Sequence, residues 1–313
     1  MNRQIARIVL LSAGIIWGMG FVVNTYVLDH GWDDSHLLFV RFFTATVFMF
    51  LIFMKRIVHT DKDTLRKGLY LGVFLFLGFF FQTWGLEHTT ASHNALITAG
   101  YIIFLPVIVY VMERRLIRKQ TLFAAGITLL GIIIISVDLN DLSSINIGDV
   151  YTFIGSVFWG IHIYILGIYA KEKDPIVLMA FQLLVVSVFA FLAMMIRAGM
   201  PVVDYSDWDS LKILLAAILI GFFASFIAFT FQSIGQKHSN ETEAAILISS
   251  ESVFGPLFAV IFLDELFSIK LVLGTVFVFA GVLLSEIDLL TVLKKRKAKK
   301  DQMKEKRIIN SEQ

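Results

Sequence analysis

The run AAILISSESVFGPLFAVIFL, residues 244–263, carries the decision about the fold. It is about the 20 residues that a helix needs to cross about 30 Å of hydrocarbon. Nearly all of it is apolar, yet Glu251 stands near its middle. An ionisable group at mid-membrane is costly and faces a protein interior or a wet cavity, which makes Glu251 a candidate functional residue.

The whole chain has the same character. Of its 313 residues, 57% are hydrophobic, 30 are Phe and only 17% are charged, whereas a soluble domain carries roughly 25% charged residues. The charges fall in short clusters separated by apolar runs, each long enough to span. We count ten such runs: Ile5–Leu28, Leu37–Met54, Gly68–Trp84, Ala95–Met112, Thr121–Val137, Gly148–Tyr169, Ile176–Ile196, Leu211–Phe231, Glu243–Leu263 and Ile269–Glu286. The fold expected is an all-α integral membrane protein with ten transmembrane helices. Arg3 and Arg7 precede an apolar run that continues to Leu28 without a small-x-small cleavage site, so the first run reads as an uncleaved helix. The chain has no Cys, which removes disulfides, thiolate metal sites and cysteine nucleophiles.

Lys and Arg alternate between loops, and this sets the expected orientation. Lys55, Arg56, Lys62, Arg66, Lys67, Arg114, Arg115, Arg118, Lys119, Lys171 and Lys173 share one side with the N-terminus. Asp29, Asp33, Asp34, Glu87, Asp138, Asp141, Asp204, Asp207 and Asp209 share the other. Both termini are therefore expected on the cytoplasmic side of the cell membrane. The basic tail, residues 291–313, serves there as an anchor or contacts anionic membrane lipids.

The chain also repeats itself. Trp17-Gly18 returns as Trp159-Gly160, and TVFMFL from Thr46 returns as SVFAFL from Ser187. Gln82, Gly85, His88, Ala95, Phe104, Pro106, Gly131 and Asp138 match Gln232, Gly235, His238, Ala245, Phe254, Pro256, Gly281 and Asp288 at one offset of 150. Two five-helix repeats follow, residues 1–138 and 139–290, and an odd helix number per repeat inverts one relative to the other. Inverted repeats place a transport site between the halves near mid-membrane. The same offset sets Tyr101 opposite Glu251. Gly14 and Gly18 form a small-xxx-small step on which another helix can pack closely.

These residues resemble the drug/metabolite transporter superfamily and its EamA-type branch of ten-helix carriers. The resemblance runs from about Ile5 to Asp288 and rests on IIWGMGFV from Ile15, TTASHNALITAGYIIFLPVI from Thr89, GDVYTFIGSVFWG from Gly148 and ETEAAILISSESVFGPLFAVIFLDE from Glu241. It implies the fold and a carrier activity, usually outward, for amino acids, nucleobases, sugars or other metabolites. Two departures stand out. The arginine of the second helix of each half is present as Arg41 but replaced by Gln182, and the terminal acids Glu113 and Glu265 miss the 150 offset by two residues.

The polar residues inside the spans admit two readings each. Arg41 is either an interfacial anchor that snorkels to the headgroups or an anion-recognising or gating residue; it lies about 12 Å in depth from Glu251 at 1.5 Å per residue. His162 is a hydrogen-bonded interior histidine or a titrating group. Trp17, Tyr101, Trp159 and Tyr164 line an aromatic cavity or pack helices. Asn24, Asn94, Gln82 and Gln232 hold a zwitterionic substrate or bridge helices. Glu251 carries protons as access alternates, binds a substrate amine, or is a protonated acid bonded to Ser249, Ser250 or Ser252.

The function expected is a secondary-active transporter that exports a small metabolite such as an amino acid by alternating access, with a proton gradient or facilitated diffusion behind it. The partners expected are a small-molecule substrate, protons and membrane lipids, with no nucleic acid and no cofactor; the oligomeric state is left open. No G-x-x-x-x-G-K-[ST] occurs for ATP hydrolysis. An intramembrane enzyme would need a nucleophile-base pair or metal cluster, and a channel-like permease would show single-channel currents.

Overall fold

A computed structural model describes residues 2–114, 116, 119–136, 146–197, 199–200, 206–239, 244 and 247–286. The tail 291–313, the acids Asp138, Asp141, Asp204 and Asp288, the basic residues Arg115 and Arg118, and Ala245 lie outside the described residues.

Helices make up nearly all of what is described: α1 (Arg3–Asp29), α2 (Asp34–Val58), α3 (Lys62–Leu86), α4 (Ala91–Thr98), α5 (Tyr101–Glu113), α6 (Lys119–Ser136), α7 (Ile147–Glu172), α8 (Pro175–Arg197), α9 (Trp208–Ile220), a π-helical turn (Gly221–Ile227), α10 (Ala228–His238), α11 (Glu251–Phe262) and α12 (Ile269–Glu286). Short polar residues start them. Asn2, Asp33, Asp61, Thr90, Asn146 and Asp207 each accept a hydrogen bond from a backbone N–H of the first turn, which satisfies a donor the helix leaves open.

Eight segments have the length and apolarity of membrane spans, and α11 and α12 are shorter apolar helices. This is a multi-pass membrane architecture. It differs from ten unbroken spans at two places. The fourth run is divided at Ala99 and Gly100 into α4 and α5. The described part of the ninth turns at Ser249 and Ser250, so that its helix begins at Glu251. Both second segments carry a proline, Pro106 and Pro256, which lacks the N–H for an intrahelical bond.

α6 packs on α12, α3 on α7 and α8, α2 on α8, and α1 on α10 and α11. In hydrocarbon, helix contact depends on close approach of small residues. A Cβ at Gly18 would lie 2.7 Å from the Cβ of Phe254, so the Gly14 and Gly18 step is where α1 meets α11. Away from these seams apolar side chains point outward, Leu51 being 70% exposed.

Ion pairs tie α2 and α3 to the junction of α7 and α8 at one end, and α2 to α8 at the other. At one end Arg56 Nη2 lies 2.9 Å from Asp174 Oδ2, and Lys173 Nζ lies 2.8 Å from Asp63 and 3.2 Å from Asp61. At the other, Arg197 Nη1 donates to Asp34 at 2.8 Å and Glu87 accepts from the Asp34 N–H at 2.7 Å.

Candidate functional site

Between these helices lies a partly enclosed cavity. α1 contributes Trp17, Gly20, Phe21 and Asn24; α2 contributes Arg41; α3 contributes Phe79 and Gln82; and α7 contributes Trp159 and Ile163. Gln232 of α10 and the two broken runs complete it. Thr98 ends α4 and Tyr101 begins α5, while Ile248 precedes the second break and Glu251 begins α11. Tyr101 and Glu251, 150 residues apart, thus occupy the same place in two interrupted helices.

Local structure holds these groups. Trp17 Nε1 donates to the Ala224 carbonyl at 2.8 Å. Its ring lies 4.9 Å from that of Phe229, which Trp159 stacks at 6.2 Å and 7°. Phe79 meets Trp159 edge-on at 4.7 Å. Gln82 donates to Thr98 Oγ1 at 2.8 Å. The floor is therefore aromatic and the polar groups are carried around it.

Several polar atoms are left open. Asn24 Oδ1, Gln232 Oε1 and Trp159 Nε1 are buried with no hydrogen-bond partner among the described residues. Of the neighbouring serines, Ser250 Oγ donates to the Leu247 carbonyl and Ser252 Oγ to that of Ser249. Buried polar groups without partners are costly, and a polar guest in the cavity relieves that cost.

Arg41 is 3% exposed, which overturns its reading as a snorkelling interfacial anchor. Its Nε donates to Ser225 Oγ at 2.7 Å, and its guanidinium lies over the rings of Phe79 and Phe42 at 4.6 and 5.2 Å. No direct pair with Glu251 is formed.

Three expected residues lie elsewhere. His162 is fully buried behind Trp159, with Nε2 2.6 Å from Gln182 Oε1. Tyr164 donates to Glu113 at 3.1 Å, joining α7 to the end of α5. Asn94 donates to the Gln82 carbonyl at 2.9 Å and to Thr152 at 2.7 Å, bracing α4 behind the cavity wall. Phe79, Thr98, Ile163 and Ile248 line the cavity without having been singled out. The 150 offset was the available signal, since it relates Thr98 to Ile248 as it relates Gln82 to Gln232.

Away from the cavity, Asp33, Asp34 and Glu87 gather their carboxylates within 4.8 Å. Arg197 already occupies Asp34, so the cluster reads as an ion-pair network. Burial pushes the Glu87 carboxyl above its ordinary range. At Asp33 burial works in the same direction, but the hydrogen bonds from Ser35 outweigh it and hold the carboxyl low. His93 Nδ1 lies 3.3 Å from Asp149 Oδ2, near the start of α4.

The sequence model of the EamA-like transporter family matches residues 4–137 and residues 146–287. A curated relative from Archaeoglobus fulgidus, described as an uncharacterized transporter, is 28% identical over 287 residues, which are 91% of this chain and 86% of that one. A protein of known crystal structure is similar in fold, with a TM-score of 0.66 over 92% of this chain and 98% of the other, at 16% identity.

Proposed function

The chain belongs to the EamA-like transporter family, and from that premise we propose that it is a secondary-active carrier exporting a small metabolite such as an amino acid across the cytoplasmic membrane. The cavity is its binding site, alternately open to each face, and Glu251 couples transport to protons. The reading of two inverted halves is supported by the two family matches and by helix pairings that exchange under a shift of five spans: α3 on α7 corresponds to α10 on α1, and the α2 on α8 contact to itself. Cytoplasmic termini are supported by the distribution of Lys and Arg.

One observation carries the proposal. Glu251 begins an interrupted helix, borders the cavity, and has no hydrogen-bond or ion-pair partner at its carboxylate among the described residues. A carboxyl group so placed is available to a proton or to a substrate amine.

The test is Glu251→Gln in reconstituted vesicles. Glutamine keeps the size and hydrogen-bonding capacity of the protonated acid but does not ionise. The variant should bind substrate yet lose accumulation driven by a pH gradient. Unchanged accumulation with unchanged pH dependence would refute proton coupling. Loss of binding at every pH would instead make Glu251 a direct ligand of a cationic group.

A further inference from the structure

We infer that the Nη edge of Arg41 binds a carboxylate of the transported molecule, and that the π-helical turn through Ser225 is the device that positions it. The inference rests on the carrier reading above and adds the side chain that receives the carboxylate of a zwitterionic substrate.

A guanidinium has five N–H donors and cannot shed its charge in a protein. At Arg41 one donor is committed, Nε to Ser225 Oγ. The rings of Phe79 and Phe42, themselves in edge contact, lie against it together. The Nη1 and Nη2 donors have no partner among the described residues, and the side chain borders the cavity. A fixed planar fork with a vacant edge is suited to bidentate recognition of a carboxylate. Held by the Ser225 hydrogen bond and packed against two rings, it is preorganised, so little rotamer freedom remains to be lost on binding.

The helix opposite is built for this role. In an α-helix the Ala228 N–H would bond to the Ala224 carbonyl; in the π turn it bonds to that of Phe223. The freed Ala224 carbonyl takes the indole N–H of Trp17, and the next residue, Ser225, meets Arg41. Gly221 opens the turn against the α2 backbone, where a Cβ would lie 2.5 Å from the Arg41 carbonyl oxygen. π turns occur in short pieces and frequently at functional sites. Here one turn orients an aromatic wall and a cation of the same cavity.

Charge selects among anions. Glu251 borders the same cavity, so a dianionic phosphate ester would meet a carboxylate as well as the guanidinium. A molecule with one carboxylate and one amine matches both groups and adds no net charge to the membrane interior.

The test uses the full chain in detergent and a thermal-shift titration with matched triads: L-alanine, L-methionine and L-phenylalanine, each beside its carboxamide and its decarboxylated amine. In the wild type the acid of at least one triad should raise the melting temperature while its carboxamide and amine do so only at much higher concentration. Ser225→Ala should weaken the acid about tenfold, the scale of one lost charge-assisted hydrogen bond, and leave the amine unchanged. Ser225→Thr, which keeps the hydroxyl, should restore the acid, and Arg41→Lys should not. Equal binding of acid and amine, or an unchanged acid affinity in Ser225→Ala, overturns this inference and leaves the carrier reading standing. Absence of any shift with all three triads in the folded wild type overturns both.

Discussion

Gly255→Ala should unseal one face of the cavity. α11 crosses α4 at this residue, and a Cβ there would lie 2.5 Å from the Cβ of Ala95. Apolar carbons are comfortable at about 3.5–4.0 Å, so the two helices must part by about 1 Å or more. The contact lies between the cavity residue Thr98 and the helix end where the Ser92 N–H donates to Glu265 at 3.3 Å, the end expected to face outward. Overpacking of this kind costs about 1–3 kcal/mol. If the open state removes the contact, that energy shifts the closed-to-open equilibrium about 5- to 150-fold, at 1.4 kcal/mol per factor of ten.

The assay exploits the absence of cysteine. Ile163→Cys places a thiol on the cavity wall, and its reaction with a membrane-impermeant reagent in intact cells reports access from outside. Labelling should be slow alone and many-fold faster with Gly255→Ala. Gly126→Ala is the control, since a Cβ there meets nothing within 4 Å. Equal labelling rates in the two glycine variants, with both chains folded, would refute the assignment of α4 and α11 as the seal.

Two other expectations accompany it. Tyr101→Ala and Trp159→Ala should each weaken substrate affinity at least about tenfold by removing aromatic wall area, whereas Leu51→Ala, at a 70% exposed position, should leave affinity unchanged in the same binding titration. Glu87→Gln should flatten part of the pH dependence of thermal stability. Because burial raises the Glu87 carboxyl above the ordinary 4.5 of a glutamate, its contribution to stability is fully present below that value and is lost as pH rises through the folded-state value. The wild type should therefore lose more melting temperature than the variant from pH 4.5 upward, and parallel curves would discount the burial effect.

The spans were legible because apolar runs between charge clusters have few alternatives in a chain with 17% charged residues. The breaks at Gly100 and Ser250 were not, since interruption of a helix inside an apolar run leaves its hydropathy unchanged. At the site, repetition was informative: Trp17 with Trp159, and Tyr101 with Glu251, all border the cavity. Proximity in sequence misled. Trp159 and Ile163 are four residues apart and share a helix face, while His162 turns to Gln182 on α8 and Tyr164 to Glu113 on α5. Ser225 carried no signal at all, because its meeting with Arg41 depends on a π register that composition does not announce.

The ion pairs at the helix ends bear on how the molecule can move. Swinging the helices of residues 4–137 as a rigid lever against those of residues 146–287 would part Arg56 from Asp174 and Lys173 from Asp61 and Asp63 at one end, and Arg197 from Asp34 at the other. α2, α3 and α8, with the junction of α7 and α8, are tied to one another by these pairs. The interrupted segments, α4 with α5 and α11, take no part in them, and their breaks border the cavity. Whatever occupies the cavity therefore bears directly on both breaks.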